Sequence, residues 1–264
     1  MKGYLKGVDI KYKDNEINYG LNIDDDFFSI NNSIGDEMNL VYCGDKKCIY
    51  CGREIKGKTF NNGYCYPCFR DLPQNDICMV RPERCHYSKG SCRDEKFAEN
   101  YCLEKHFIYL AYTSEIKVGI THHGNIPSRW LNQGATKGCV IAEVPQRKVA
   151  GDVENFLMDY FADKTNWRGM LKNNEVKSLD QAIEKAQRLI TDKFHDVNLV
   201  KDDKSIRYPW VYPPKVKSIN LDKINCFTSR LLGAKGQYLI FEDGVLNLKK
   251  YRGYNIEINF SRKI

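Results

Sequence analysis

Two Cys-x-x-Cys pairs limit the fold of this chain more than any other feature: Cys48 with Cys51 and Cys65 with Cys68, separated by thirteen residues. Each pair brings two sulfur atoms to one cation, and Zn²⁺ favours a closed tetrahedron of four such thiolates. Buried or redox-active cysteines are the alternative, but four cysteines at this spacing favour a metal. The sequence therefore predicts a structural zinc site in a short region that needs little hydrophobic core.

A second group of cysteines and histidines follows directly. Nine of the eleven cysteines lie between Cys43 and Cys102, and no secretion signal is recognisable, which favours metal thiolates over disulfides. The predicted ligands of a second zinc are Cys78, Cys85, Cys92 and Cys102, with His86 and His106 as alternates. Aromatic and basic residues interleave with both groups. They suit stacking on bases and pairing with phosphates, or else they cap small zinc cores.

The remaining composition is that of a globular protein with a basic surplus. No apolar run approaches the roughly 20 residues of a membrane span. Because the N-terminus also lacks a signal-peptide segment, we expect a cytoplasmic protein without a membrane partner. The net charge of +7 divides into −4 over residues 1–42 and +11 over the remainder. The positive net charge of residues 43–264 is compatible with a nucleic-acid partner.

The segment between residues 107 and 162 combines short strands and helices with a surplus of polar residues. Residues 107–112 and 117–121 predict a hairpin, residues 140–144 a third strand, and residues 146–162 an amphipathic helix. Pro127 favours another helix that starts just before Arg129. The hydrophobic pattern of these strands and helices does not require polar or special residues at seven positions: Tyr109, Lys117, Gly119, Thr121, Arg129, Arg147 and Glu154. These are the candidate functional residues.

The order Phe-Ile-Tyr, then Lys-Val-Gly-Ile-Thr, then Arg129 and finally Glu154 on a helix resembles the GIY-YIG nuclease domain. It is most similar to the branch whose second tripeptide begins with lysine. The resemblance implies a phosphodiesterase with Tyr109, Lys117, Arg129 and Glu154 as catalytic residues and Mg²⁺ bound by Glu154. Tyr109 would position the attacking water or the scissile phosphate, and Arg129 would grip a phosphate with its guanidinium. The wider chain resembles a prokaryotic cysteine-rich family of unknown function.

Lys117 departs from the family pattern, because this position commonly holds a tyrosine that contributes to proton transfer. A lysine acts as a base only when burial or neighbouring cations lower its pKa, and it can instead hold a phosphate. The residues expected to bind substrate are Thr121, Arg147, Trp167 and Arg168. Ala150 and Gly151, on the helix face that carries Glu154, predict a shallow floor that a substrate backbone could approach.

These interpretations combine into an α+β organisation of four parts. Residues 1–42 and 201–264 are β-rich, and we expect them to pack together as a small β-barrel. Between them lie a zinc-binding region at residues 43–106 and a GIY-YIG-like domain with a three-stranded sheet at residues 107–200. Residues 200–214, rich in charge and proline, are expected to form a linker.

Two functions remain open at this point. The first is a zinc-containing, Mg²⁺-dependent nuclease that acts on DNA or RNA, which the presence of Tyr109, Arg129 and Glu154 favours. The second is a zinc-stabilised protein that keeps the nuclease fold and binds DNA or structured RNA without cleaving it, which Lys117 favours.

Overall fold

The computed structural model describes residues 1–13, 16–172, 178–208 and 216–261. Its strands are β1 (Lys2–Lys13), β2 (Glu16–Ile23), β3 (Asp26–Ser29), β4 (Glu37–Lys46), β5 (His106–Tyr112), β6 (Ile116–His122), β7 (Lys137–Val144), β8 (Asn198–Ser205), β9 (Cys226–Lys235), β10 (Tyr238–Phe241), β11 (Gly244–Asn247) and β12 (Tyr254–Ser261). Its α-helices are α1 (Tyr66–Asp71), α2 (Glu95–Phe97), α3 (Ser128–Gln133), α4 (Arg147–Leu157), α5 (Trp167–Met170) and α6 (Asp180–Lys193). This is the mixed α+β class that the sequence predicts.

The chain divides into two compact units. The first contains residues 1–70 and 207–264, and the second contains residues 71–206. Each unit has one antiparallel sheet. The Cys48–Cys68 pairs lie in the first unit, whereas the second group of cysteines lies in the second unit. No helix in the described part of the chain is both long and apolar enough to cross a membrane.

The sheet of the first unit is built from both ends of the chain. Its strand order is β11-β10-β9-β4-β12-β1-β2-β3, so the last strand lies between two N-terminal strands. Apolar residues are paired along it, as where Ile256 lies opposite Tyr42 and Ile258 opposite Leu40. This order is open, with β3 and β11 as its described edges, and it differs from the closed barrel expected from the sequence. Within this order β1 pairs with β12 through residues 2–4 and with β2 through residues 5–13, and its register shifts between Leu5 and Gly7.

The first cysteine pair is attached to this sheet through a glycine. The backbone N–H of Lys47 donates to the carbonyl of Gly253, 2.7 Å away, and Ile49 donates to the carbonyl of Gly63 at 3.0 Å. Gly253 has a φ of +84°, a conformation that favours glycine. A β-carbon there would also overlap the carbonyl oxygen of Lys47. The sequence before Cys48 is therefore held close against the start of β12.

The sheet of the second unit has the order β6-β5-β7-β8, one strand more than expected. Strand β8 occupies the first part of the expected linker, and residues 209–214 of that linker lie outside the described residues. The charged residues 201–204 are exposed along β8, which explains why the sequence resembles a linker. Gln187 of α6 fixes the strand by donating from Nε2 to the carbonyls of Val200, at 2.8 Å, and Ile141, at 3.1 Å.

Helices α4 and α6 cover one face of this second sheet. Their buried side chains, among them Val153, Leu157, Ile183 and Ile190, pack in one core with apolar residues of β5, β6 and β7. Burial of such side chains stabilises the unit by roughly 1.5–3 kcal/mol each. The hydrophobic spacing along α4 therefore fixes the rotation of the helix. This rotation sets where the polar residues of α4 point.

The segment between residues 71 and 105 has a different character. It consists of short 3₁₀ turns, the three-residue helix α2 and a π-helical turn at Ala98–Cys102. Its buried residues are Asp76, Pro82 and Ala98. So few buried side chains provide little hydrophobic stabilisation for a segment of this length, because each ordered residue costs about 1–2 kcal/mol of backbone entropy.

Candidate functional site

Strands β5 and β6 present the first candidate residues on one face of the second sheet. Tyr109 lies directly opposite Gly119 in the antiparallel register. Side chains two residues apart on a strand point to the same face, so Lys117, Gly119 and Thr121 share this face with Tyr109. The missing side chain of Gly119 leaves room for the phenol of Tyr109, which is fully buried.

The phenol of Tyr109 is held by two side chains of helix α3. Arg129 donates from Nε to the phenol oxygen at 3.3 Å, and Gln133 donates from Nε2 at 3.0 Å. The indole of Trp130 packs edge-on against the Tyr109 ring, with centroids 6.0 Å apart. These contacts fix the orientation of the Arg129 side chain, whereas the residue itself is exposed to solvent.

Glu154 of α4 lies close to the charged groups on this face. Burial raises the pKa of Glu154, while Arg129, Arg147 and Lys117 each act to lower it. A hydrogen bond from the backbone of Ile120 also acts on the carboxylate. Because β6 is an edge strand, its backbone is accessible to a side chain that reaches around from α4. One carboxylate is thus surrounded by three basic side chains.

Lys117 is buried among these groups. Its Nζ donates to the carbonyl of Asp163 at 2.8 Å, in the loop between α4 and α5. Burial, and next the positive charge of Arg129, lowers the pKa of Lys117 to about 8. A substantial fraction of the amine is therefore neutral in mildly alkaline solution. Both roles expected for this residue, as a base and as a phosphate ligand, remain compatible with its position.

The predicted floor between Arg147 and Glu154 is not open to a substrate. A β-carbon on Gly151 would lie 2.6 Å from Cβ of Pro82 and 2.7 Å from the backbone nitrogen of Glu83. The cysteine-rich segment therefore packs directly on this helix face. Arg147 contributes to the same contact, because its Nη2 donates to the carbonyl of Met79 at 2.9 Å.

The other residues expected to bind substrate make their described contacts outside the group formed by Tyr109, Arg129 and Glu154. Thr121 is buried, and its hydroxyl accepts a hydrogen bond from Nδ2 of Asn125 at 3.2 Å. Trp167 and Arg168 lie at the start of α5, where the guanidinium is 4.3 Å from the centroid of the indole ring. Lys117 bonds to the loop that leads into α5, so this loop borders the site.

Two residues near the site, Gln133 and Tyr101, are not part of the sequence motif. Gln133 lies four residues after Arg129 on α3, and this spacing places both on one helix face. Tyr101 comes from the cysteine-rich segment, and the Arg147 guanidinium lies 5.8 Å from the centroid of its ring. The same ring stacks on His122 at 5.2 Å. The first could have been found from helical spacing, whereas the second depends on a long-range contact.

In the first unit, the predicted zinc ligands form one cluster. The sulfur atoms of Cys48, Cys51, Cys65 and Cys68 lie within 4.8 Å of one another. The sulfur atoms of Cys51 and Cys65 are 3.7 Å apart. Cys48 and Cys65 are buried, and Cys51 is exposed. The prediction of a four-cysteine cluster that could hold a metal ion is confirmed, and zinc suits this donor set.

Burial, hydrogen bonds and the proximity of the four thiols together determine their pKa values. Burial acts against ionisation of Cys48, but hydrogen bonds from the backbone of Cys51, Cys65 and Tyr50 lower its pKa to about 6. Burial raises the pKa of Cys65 and of Cys68. The negative charge on Cys48 further opposes ionisation of Cys68. A divalent cation would remove this conflict and let all four sulfurs bind as thiolates.

In the second unit, the four further cysteines line a cavity of about 180 Å³. His86 also lines this cavity, but its Nε2 lies 3.2 Å from Oδ1 of Asp76 and its Nδ1 lies 3.1 Å from the hydroxyl of Ser91. His106 does not border the cavity and binds the carbonyl of Glu104 through Nδ1 at 2.9 Å. Asp76 and His86 are grouped with Cys78 closely enough to share a cation, but Asp76 also pairs with Arg93 at 2.8 Å. The other three cysteines fall outside any such group among the described residues.

The fold and the site together define an α+β protein with a four-cysteine cluster that could hold a metal ion. The chain belongs to the family described as "Protein of unknown function (DUF2797)", whose model matches residues 35–256. No curated protein and no solved structure matches the chain significantly. The family match includes both cysteine groups and the Tyr109–Glu154 segment, and its description assigns no activity.

Proposed function

We propose that this protein is a zinc-containing, Mg²⁺-dependent phosphodiesterase of the GIY-YIG type that acts on nucleic acid. The observation that carries the proposal is the arrangement around Glu154, where Arg129 is held by the buried phenol of Tyr109 and lies near the carboxylate. A nuclease of this class needs these three side chains near one another. They come from β5, α3 and α4, far apart in the sequence.

The charge of the arrangement suits a phosphodiester. The positive charges of Arg129, Arg147 and Lys117 outnumber the negative charges of Glu154 and of Asp163, which also acts on Lys117, so the site attracts an anion. Arg129 is an exposed residue whose Nε binds Tyr109, and its two terminal NH₂ groups would pair with phosphate oxygens. The same group would stabilise the charge that develops on the phosphorus-bound oxygens during cleavage. Since its side chain is already fixed by Tyr109, little reorganisation is needed.

The residues present fit Mg²⁺ when a substrate phosphate is bound as well. Mg²⁺ keeps several waters and uses one or two carboxylates together with substrate phosphates. Glu154 would be its protein ligand, and among the described residues Glu154 joins no larger cluster of metal-binding side chains. The ion, when bound, polarises the phosphoryl oxygens and activates water. Tyr109 and Arg129 position the phosphate relative to Glu154.

Zinc has a structural role in this proposal. The four-cysteine cluster of the first unit would hold one ion, and the cavity lined by Cys78, Cys85, Cys92 and Cys102 would hold a second. The surrounding segment buries few side chains, so metal binding would supply the folding free energy that it lacks. Because Pro82 and Met79 of this segment contact α4, the second ion would also support the helix that carries Glu154.

Cleavage assays on DNA and RNA with added Mg²⁺ test the proposal. Glu154→Gln keeps the shape of the side chain and loses its charge, so cleavage should fall by at least about 100-fold while affinity for nucleic acid stays nearly intact. Arg129→Ala should weaken both cleavage and binding. Glu115→Gln, at an exposed glutamate in the β5–β6 turn, is the matched control and should change neither.

Substitution of Lys117 helps to distinguish the two functions, because this lysine stands where the family motif commonly has a tyrosine. If Lys117 acts as the base, Lys117→Ala should shift the pH–rate profile. If it holds a phosphate, the substitution should reduce the salt slope of binding by about one phosphate contact. A wild-type protein that binds DNA or RNA tightly but cleaves neither with any divalent cation would contradict the nuclease. The non-catalytic binding protein would then be the function.

A further inference from the structure

The four-cysteine cluster of the first unit exposes two tyrosines. Tyr50 lies inside the first Cys-x-x-Cys pair and is 62 % exposed, and Tyr66 lies inside the second pair and is 55 % exposed. Most large aromatic side chains of the described residues are at least partly buried. More than half of each side chain is therefore available to a ligand, and neither ring belongs to the buried core.

The two tyrosines flank neighbouring cysteines of the cluster. Tyr50 precedes Cys51 and Tyr66 follows Cys65, and the sulfur atoms of these cysteines are 3.7 Å apart. Phe60 extends the surface, because its ring centroid lies 5.4 Å from that of Tyr66 and 5.4 Å from that of Phe69. A bound metal would fix the backbone of both turns. The rings would then stand on a rigid base.

Basic residues are frequent in the sequence around these aromatic residues. Residues 47–70 contain five lysines and arginines and a single acidic residue, Glu54. Arg53, Lys56 and Lys58 are exposed, and Nζ of Lys58 lies 5.6 Å from the centroid of the Phe60 ring. Four thiolates and one Zn²⁺ would carry a charge of −2, so the surface keeps an excess of positive charge. The ligand that it favours is therefore an anion with flat, apolar faces.

We propose that the surface formed by Tyr50, Tyr66 and the neighbouring basic residues binds single-stranded nucleic acid. Exposed aromatic rings bind unpaired bases by stacking, and basic side chains pair with the phosphates between them. The bases of a duplex are already stacked on one another, so a duplex can use only the basic residues. A second copy of the basic surface would repel the first. The inference rests on the proposed function for its ligand class, and it adds that the substrate is bound as a single strand.

Fluorescence anisotropy of the full-length protein without added Mg²⁺ tests this site. The probes are labelled oligothymidine and oligouridine of about 12 nucleotides, comparable to known single-strand site sizes, and a duplex of equal length. Tyr50→Ala and Tyr66→Ala should each weaken single-strand binding by roughly 5- to 150-fold and leave duplex binding unchanged. Tyr50→Trp and Tyr66→Trp should preserve it. Lys58→Gln should reduce the salt slope by about one.

Tyr160→Ala is the matched control, because Tyr160 is 44 % exposed and lies in the second unit. Zinc content of every variant is measured, so that unfolding of the cluster is recognised. Unchanged single-strand binding in a zinc-loaded Tyr50→Ala, Tyr66→Ala double variant would overturn the proposal. Sedimentation showing that the tyrosines instead hold two copies of the chain together would also overturn it.

The outcomes separate this site from the proposed nuclease. Tyrosine-dependent binding by a protein that cleaves nothing would support the single-strand site and contradict the nuclease. Cleavage that depends on Glu154, together with binding that is insensitive to both tyrosines, would support the nuclease and overturn the single-strand site.

Discussion

The phenol oxygen of Tyr109 occupies the space that a β-carbon on Gly119 would need. The two residues face each other across β5 and β6, so the smallest side chain makes room for one of the larger ones. The phenol in turn holds the guanidinium of Arg129. A glycine, which has no side chain, thus determines where a charged group of the candidate site lies.

Gly119→Ala tests this dependence. The added methyl group should displace the buried phenol and cost about 1–3 kcal/mol in the free energy of unfolding, as overpacking usually does. Nucleic-acid binding should also weaken, since Arg129 would lose its fixed position. Urea denaturation and anisotropy measure the two effects. Gly124→Ala is the control, because the nearest atom to its β-carbon, Nδ1 of His122, is 3.6 Å away, and a similar loss there would refute the argument.

Metal analysis tests both cysteine groups. Protein purified without added metal should contain close to two zinc ions per chain. Cys51→Ser and Cys102→Ser should each remove one ion, because a closed site loses affinity when one of its four thiolates is absent. Cys226→Ser replaces an exposed cysteine away from both groups and should leave the zinc content unchanged. A zinc content near one that Cys102→Ser does not lower would show that the second cavity holds no zinc.

The cysteine spacing predicts the first cluster well because both pairs are local turns. Cys48 and Cys51 are neighbours whatever the rest of the fold does, and closing the thirteen-residue loop between the two pairs costs little entropy. The second group lacks such pairs. Its cysteines are irregularly spaced, so which atoms share an ion depends on the course of the backbone between them.

Long-range contacts explain the features that the sequence does not predict. The contact of Pro82 with Gly151 closes a helix face that its own residues suggest is open. Likewise, the charged residues of β8 are exposed, so its place in the sheet depends on hydrogen bonds from Gln187 and on pairing with β7. The order of the larger sheet depends on β12, which lies between β4 and β1 although it comes from the other end of the chain. Each depends on partners distant in sequence, whereas hydrophobic spacing reports only which side of a segment is buried.

Gly253→Ala tests how the first cysteine pair is attached to β12. The substitution should lower the free energy of unfolding in two ways. The left-handed conformation should cost about 1–2 kcal/mol, and overlap with the carbonyl of Lys47 should cost roughly a further 1–3 kcal/mol. Gly44→Ala is a matched control, because Gly44 has a φ of +98° and no atom lies within 4 Å of its added β-carbon. The difference between the two variants in urea denaturation isolates the overlap. Equal losses would show that the contact with Lys47 yields easily.

Lys235 links stability to pH in the first unit. It is fully buried, and burial lowers its pKa from 10.5 to about 8. Below pH 8 the lysine is charged in both the folded and the unfolded chain, so the folded state bears the full cost of the buried charge. Between about pH 8 and 10.5 the folded chain loses this proton first, and stability rises with pH.

Lys235→Met removes this titration and should therefore make the protein more stable at neutral pH. One pKa unit corresponds to about 1.4 kcal/mol, so the cost of the buried charge is about 3 kcal/mol, less any favourable contacts of the amine, such as that with the Tyr208 ring. The advantage of the variant over wild type in urea denaturation should shrink as pH rises from about 8 to 10.5. Comparing the two proteins cancels the titration of other groups. Lys6→Met, at an exposed lysine, should show no such trend, and a constant difference for Lys235→Met would mean that Lys235 keeps its ordinary pKa.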